Sequence, residues 1–162
     1  MSAELTKEQE MHVQKQMIEA VYVDMSKLLK IMKEHFGEEA YHVAVKAHGN
    51  KIREHMRKKA LEIGGDSIES MLKCIQSGMR EQGFEFTNEE IDSGILVKHT
   101  RCPIYDMAKR NEITEQVFYL CCEGDQFIPE GFNPNIGFKR TKTLMHGHDC
   151  CDSFYYYKNE SK

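Results

Sequence analysis

"GFEFTNEEIDSGILVKHTRCP", residues 83–103, is where the chain changes its hydrophobic period. Before Gly83, apolar residues recur at spacings of three and four, the repeat of a helix face. After it, "FEFT" and "GILVKHTRC" are rich in β-branched and aromatic residues. They read as two strands joined across "NEEIDS" as a hairpin. Pro103 ends the second strand and suits the first turn of a short helix, "PIYDMAKRN".

Upstream, Ile18, Val21, Met25, Leu28, Leu29, Met32 and Phe36 mark one face of a helix from Glu8 to Phe36, with Gly37 as its stop. A second helix is expected over 38–63, ending at Gly64-Gly65. Its Ala40, Ala44, Ala47 and Ala60 allow close packing. "DSIE" at 66–69 is a capping-box pattern, with Asp66 as cap and Glu69 reaching back. The helix it opens carries Ile68, Met71, Leu72, Ile75 and Met79. Downstream, "TEQVFYLCCEGDQFI" predicts a helix from Thr114. "PEGFNPN" is a turn-rich loop, and "IGFKRTKTLM" and "CCDSFYYYK" predict two final strands. Helices first, then helices mixed with antiparallel strands, make an α+β fold. A single domain is expected over 1–162, helical over 1–80 and mixed over 83–158.

The 162 residues suit one core. A net charge of −4 with interspersed signs speaks against a nucleic-acid partner, which calls for a basic face. No apolar run approaches the roughly 18–20 residues of a membrane span, so no membrane partner is expected. The polar N-terminus carries no signal-peptide core, and the protein is read as cytoplasmic. Its six cysteines are then expected as thiols, metal ligands or reactive groups rather than disulfides. The long N-terminal helices can pack on their own sheet or on a partner subunit, so a homo-oligomer stays open.

The cysteines fall into places worth separating. On a continuous helix over 114–128, Val117, Leu120, Cys121, Gly124, Phe127 and Ile128 share one face. Glu115, Tyr119, Cys122 and Gln126 share the opposite face, with Asp125 at its edge. Cys121 then reads as core filling, and Cys122 with Asp125 as a candidate site pair. Cys102 ends a strand before Pro103. Cys151 opens the last strand after Gly147 and His148, and alternation along that strand sets it apart from Cys150. No CxxC pair exists, so a structural zinc site has weak support in the spacing.

Cys102-Pro103, Cys122-x-x-Asp125, "GFNPN", "FKRTKTL", Gly147 and Cys151-Asp152-x-Phe154 follow one another in an order that resembles the L-2-amino-thiazoline-4-carboxylic acid hydrolase family, over residues 95–157. The ending also resembles four-vinyl-reductase-type ligand-binding domains, some of which bind zinc through cysteines and a glutamate. Arg140 and Thr143 stand where those domains carry the glutamate and the upstream cysteine.

The resemblance implies hydrolysis of a cyclic amidine-like C–N bond, opening a 2-aminothiazoline ring to N-carbamoyl-cysteine. On that reading Cys151 or Cys122 attacks or holds the reacting centre, and Cys102 completes the thiol set. Asp125 or Asp152 moves protons, and His148 lowers a thiol pKa. Arg140 or Lys139 binds the substrate carboxylate, with Arg favoured for its bidentate fork, Asn133 and Asn135 orient ring nitrogens, and Thr143 lies beside the substrate. Turn formation around Pro134 is the competing role for the two asparagines. No cofactor is expected on this reading. In a metal-assisted alternative, Cys102, Cys122 and Cys151 hold zinc or another divalent ion that activates water. A third reading is a small-molecule or metal sensor that uses the same residues without turnover.

Overall fold

The computed structural model describes residues 6–92 and 94–158. The first helix, α1 (Lys7–Phe36), starts at Thr6, whose hydroxyl accepts from the Gln9 N–H while the Gln9 side chain accepts from the Thr6 N–H. It ends at Gly37, where φ is 72°. The second helix, α2 (Glu39–Ile63), runs back beside it, and α3 (Ile68–Ile75) follows. The cap of α3 is Ser67, whose hydroxyl accepts from the Ser70 N–H at 3.2 Å. The expected cap, Asp66, stands one residue too early.

Strands β1 (Glu85–Ile91) and β2 (Gly94–Arg101) pair along the whole of β1. The chain therefore reverses between Ile91 and Gly94 rather than across all of "NEEIDS". Asp92, with φ at 49°, accepts the left-handed backbone that a tight hairpin demands. Helix α4 (Pro103–Arg110) starts at Pro103 as expected. The helix expected from Thr114 breaks early. Its first part, α5 (Thr114–Leu120), stops before Cys121, which has φ −124° and ψ −65°. A 3₁₀ turn then covers Cys122–Gln126, and α6 (Phe127–Phe132) resumes. Of "IGFKRTKTLM", only β3 (Ile136–Lys139) is strand, and Leu144–His146 is a 3₁₀ turn. Strand β4 (Cys151–Tyr157) leaves Cys150 outside the ladder.

The four strands form one antiparallel sheet in the order β1-β2-β4-β3. Its inner face presents Phe86, Ile95, Val97, Ile136 and Tyr155 to Met56 of α2, Ile68, Met71 and Leu72 of α3, and Phe132 of α6. Each of these is less than 9% exposed, and their burial is the main stabilising term of the fold. Helices α2 and α6 approach almost backbone to backbone. A Cβ at Gly49 would strike the Phe127 ring, and one at Gly131 would strike the Arg53 main chain. A second cluster, Ala108, Val117, Phe118 and Met145, fills the other end, with Tyr22, Tyr105, Cys121 and Cys122 against it. The fold is therefore α+β, as the change of period at Gly83 implies.

Helix α1 leaves part of its apolar stripe exposed: Ile18, Val21, Met25 and Leu28 are 47–59% exposed, whereas Leu29 is buried. The side against the body carries Glu19, Tyr22, Ser26, Leu29 and Lys33. Glu19 takes hydrogen bonds from Arg110 and Asn111, each at 2.8 Å, and Lys33 pairs with Glu115 at 2.6 Å. No helix among the described residues is long and apolar enough to cross a membrane.

Candidate functional site

Alternation along the strands decides which side chains reach the inner face. On β2, Ile95, Val97 and His99 share that face; on β4, Cys151, Ser153 and Tyr155 share it. His99 and Cys151 are register partners, as are Val97 with Ser153 and Ile95 with Tyr155. Directly opposed residues in an antiparallel pair have Cβ atoms about 5 Å apart. The β2–β4 ladder thus ends in an imidazole beside a thiol, above the second cluster.

Cys151 is held from the loop before it. Its sulfur accepts from the Leu144 N–H at 3.4 Å and lies 3.7 Å from the Thr143 hydroxyl. Thr143 is buried, and its oxygen also accepts from the Met145 N–H at 3.2 Å. Asp152, next in sequence, points to the other face. It accepts from the N–H groups of Thr141 at 2.8 Å and Lys142 at 2.6 Å, and from the Thr141 hydroxyl. Burial opposes its charge, but these hydrogen bonds win and hold its carboxyl below the usual range. These bonds tie Asp152 to the backbone of Thr141 and Lys142, on the face of β4 away from Cys151. His148 is exposed, and its Nδ1 meets the backbone of Thr143 at 3.1 Å.

Arg140 follows β3 and closes the same end of the sheet. It donates to Asp125 at 2.6 Å and to the Cys122 carbonyl at 2.7 Å, and its side chain is 10% exposed. Burial pushes the Asp125 carboxyl up, against the pull of Arg140. The guanidinium therefore ties β3 to the 3₁₀ turn, rather than standing free as a carboxylate fork.

The break at Cys121 changes the reading of the paired thiols. With α5 ended, Cys121 and Cys122 both turn toward Tyr22 of α1 and the second cluster. The hydrogen bond with Cys122 pulls the Cys121 thiol down, against burial; the same bond, with burial, pushes Cys122 well up. Burial pushes the Tyr22 hydroxyl up, with the neighbouring Cys121, Cys122 and Cys102 adding to the shift. Cys102, at the start of α4, is pushed up to about 11 by burial, against the N–H groups of Tyr105 and Ile104. Cys102, Cys121, Cys122 and Cys151 thus share one electrostatic neighbourhood with Tyr22 and Arg140. Cys121 packs on the second cluster, the filling role expected of it, and with the helix broken Cys122 packs there beside it.

No group of three His, Cys, Asp or Glu side chains among the described residues is arranged to hold a metal ion. The set Cys102, Cys122 and Cys151 does not fit a metal as placed.

Two other candidates lie elsewhere. Asn133 donates to the Asp66 carbonyl and accepts from the Asn135 N–H, each at 2.9 Å, closing a turn at the start of β3. Arg140 leaves the other end of that strand, roughly 16 Å away at 3.3 Å per residue. The asparagines therefore form the turn and do not share a site with Arg140.

A cleft of about 490 Å³ opens beside Arg140, lined by Phe118, Phe138, Lys139, Lys142, Thr143 and His146 among others. The Phe118 and His146 rings lie 4.2 Å apart on its wall. Lys139, Arg140 and Lys142 outnumber its one acid, Glu123, which favours an anionic ligand. Thr143 connects cleft and thiol, since it lines the one and touches Cys151 of the other. None of the cysteines lines the cleft itself.

Tyr22, His99 and Cys121 are the site neighbours that the sequence reading passes over. For His99 a signal was present: it falls at the inner parity of "ILVKH", two residues after Val97. Burial pushes its imidazole down to about 4, with the Arg140 charge adding, so it is neutral at physiological pH.

Residues 11–155 match the family described as L-2-amino-thiazoline-4-carboxylic acid hydrolase. No match is found among curated proteins. Among solved structures, the chain is similar to the phenol-responsive sensory domain of the transcription activator PoxR with phenol. The TM-score is 0.57 at 13% identity, covering 87% of this chain and 76% of that one.

Proposed function

The chain belongs to the L-2-amino-thiazoline-4-carboxylic acid hydrolase family, and from that premise we propose that it hydrolyses a small, carboxylate-bearing cyclic amidine by thiol catalysis. The observation that carries this is the end of the β2–β4 ladder, where Cys151 faces His99 beside the Arg140–Asp125 pair and the cationic cleft. Cys151 is the nucleophile. His99, the register partner of Cys151, takes up the thiol proton as the sulfur attacks, a role that rests on its place in the ladder, since burial makes it a weak base. Lys142 and the Arg140 charge draw the substrate carboxylate into the cleft, and Thr143 orients the sulfur.

For a 2-aminothiazoline-4-carboxylate the atoms balance as follows. The Cys151 sulfur bonds to C2, the C2–S bond of the ring breaks, and the ring sulfur takes a proton. Water then adds at the same carbon and expels Cys151, leaving N-carbamoyl-cysteine. Both exocyclic and ring nitrogens stay on the product, so the bond lost is the ring C–S bond and not the C–N bond that the resemblance implies, and the amidine carbon exchanges sulfur for oxygen. Incubation with 2-aminothiazoline-4-carboxylate should release N-carbamoyl-cysteine and one new thiol per turnover. A wild-type chain that releases neither would overturn the reading.

A second reading is ligand binding without turnover. The likeness in fold to a phenol-responsive sensory domain favours it, as do Phe118 and Phe138 in the cleft wall. Tight binding of a small aromatic or heterocyclic acid, with no product formed, would select it.

A further inference from the structure

The helices use one face of the sheet. Met56 of α2, Ile68 and Leu72 of α3 and Phe132 of α6 all pack on the inner side. Alternation sends every second strand residue to the other side. The registers set those residues in rows across the strands. Ile91, Gly94, Tyr156 and Gly137 form one row, and Glu89, Leu96, Phe154 and Lys139 the next. A third row holds Thr87, Lys98 and Asp152. Leu96, Phe154 and Tyr156 belong to neither core cluster and are half-buried.

This outer face is level. The Phe154 and Tyr156 rings lie 5.6 Å apart and nearly parallel, at 18°. They lean across the sheet over Gly94 and Gly137, where a Cβ would come within 3 Å of the ring. The product is an apolar floor with an acid on one edge strand and a base on the other: Glu89 on β1 and Lys139 on β3, both exposed. Lys139 sits 4.9 Å above the Tyr156 ring. Among the described residues, neither Glu89 nor Lys139 joins an ion pair.

We infer that this face packs on the same face of a second copy, about a twofold axis that runs along the strands between β2 and β4. Rotation about that axis sets β1 over β3 of the other copy and β2 over β4. Glu89 of each copy then stands over Lys139 of the other, and Leu96 over Phe154. Each half of the face meets its complement, as an isologous contact requires. Lys98 also comes over Asp152, but Asp152 is already engaged by the Thr141 and Lys142 N–H groups. The choice of axis therefore rests on Glu89 and Lys139.

An axis across the strands fails on the same residues. It keeps every strand over its own copy, so acid stays over β1 and base over β3, and unlike charges never meet. Packed sheets cross at about 30°, and an edge strand lies about 7 Å from the axis, so the twist displaces Glu89 from Lys139 by about 4 Å, within a lysine's reach. These rim charges select the arrangement, while Leu96 and the two rings supply the contact. A floor four strands wide and seven residues long measures roughly 19 by 24 Å, or about 1,000 Å² over both copies. That is the size of a weak, reversible pair. Glu89 on the floor and a net charge of −4 disfavour single-stranded nucleic acid, the other partner that stacks on exposed rings.

The test is sedimentation or light scattering of the full chain over a dilution series. The wild type should pass from the mass of two chains at the concentrated end to that of one at the dilute end. Glu89→Lys should raise the dissociation constant about tenfold, because symmetry turns two attractive contacts into two repulsive ones. The chain carrying both Glu89→Lys and Lys139→Glu should recover the wild-type value, since the reversed charges attract again. Both positions are exposed, so circular dichroism should not change. Leu96→Asp, at the centre of the floor, should be monomeric throughout. A wild type that stays monomeric even at millimolar concentration overturns the inference, including one that instead binds a single-stranded oligonucleotide. So does a dimer that Glu89→Lys or Leu96→Asp leaves unchanged. Failure of the reversed chain to recover overturns the axis along the strands. None of these outcomes bears on the hydrolase reading, which is scored by product formation with the wild type.

Discussion

The chain contains two Cys-Cys dipeptides, and the fold treats them in opposite ways. Cys150-Cys151 lies where a loop enters a strand. The extended backbone sends Cys151 to the inner face beside His99, while Cys150 is buried outside the ladder with its thiol donating to Asp149 at 3.6 Å. Cys121-Cys122 lies where a helix gives way to a 3₁₀ turn. There the two thiols stay together, both packed against the second cluster with Tyr22. The same two letters are divided by a strand and joined by a turn. The local backbone, more than the residue type, decides whether a vicinal pair offers one site thiol or two.

The largest effect that tests this contrast is on turnover. Cys151→Ser should lower it about a thousandfold or more, the scale of losing a nucleophile, while the unfolding midpoint stays close to wild type. Cys150→Ala should leave turnover within a small factor and cost on the order of 1 kcal/mol from lost packing. Product assays run beside chemical denaturation separate the two. Equal losses of turnover from both variants would show that the strand does not divide the pair as described.

Next in size is the link between the two regions. Arg140 joins them, since it bonds the Cys122 carbonyl and Asp125 on one side and closes the Cys151 end of the sheet on the other. Arg140→Ala leaves Asp125 without its partner. Removing one member of a buried pair costs about 3–5 kcal/mol, and about 2–3 kcal/mol is expected here because the Asp125 side chain is 34% exposed. The loss should shrink in the double variant with Asp125→Asn, which removes the orphaned charge. A denaturation series on the three variants reads this directly.

His99 gives the pH dependence. Its unfolded value of 6.5 falls to about 4 in the fold, through burial first and then the Arg140 charge. As pH drops below 6.5 the unfolded chain takes up a proton that the folded chain refuses until about 4. The stabilising contribution is therefore complete above pH 6.5 and is lost as the pH falls toward 4, by up to about 3 kcal/mol. His99→Gln should flatten that acid limb and should also lower kcat under the thiol mechanism. A limb unchanged by the substitution would place the titration on another group.

The two halves of this contrast were not equally legible. Alternation along "CDSFYYY" was enough to set Cys151 apart from Cys150, because a strand has a period of two whatever its surroundings. Sorting Cys121 from Cys122 required a helix that continues through Gln126, and nothing local in "FYLCCEGDQ" announces the break. Gly124 marks a weak point, but the turn is set by contacts from outside the segment: Arg140 on the Cys122 carbonyl and α2 against α6. Which side of α1 meets the body was hidden for the same reason. Its sequence shows an apolar stripe, and only Glu19 and Lys33, pinned to Arg110, Asn111 and Glu115, show which side meets the body. Asn133 and Asn135 lie close to Arg140 in sequence, yet the four residues of β3 hold them at opposite ends.

The smallest expected effect is also the sharpest test of the helix break. If Cys121 and Cys122 act as one hydrogen-bonded pair, Cys121→Ala and Cys122→Ala should cost similar amounts, on the order of 1 kcal/mol each. The double variant should cost less than their sum, by about 0.5 kcal/mol or more, because each single variant already removes the shared bond. A continuous helix predicts otherwise. Cys121 would then carry the packing cost alone, Cys122 would be nearly silent in stability, and the two effects would add. A denaturation cycle on four chains distinguishes the cases. Coupling between the thiols requires both on one side of the backbone, and a straight helix cannot put them there.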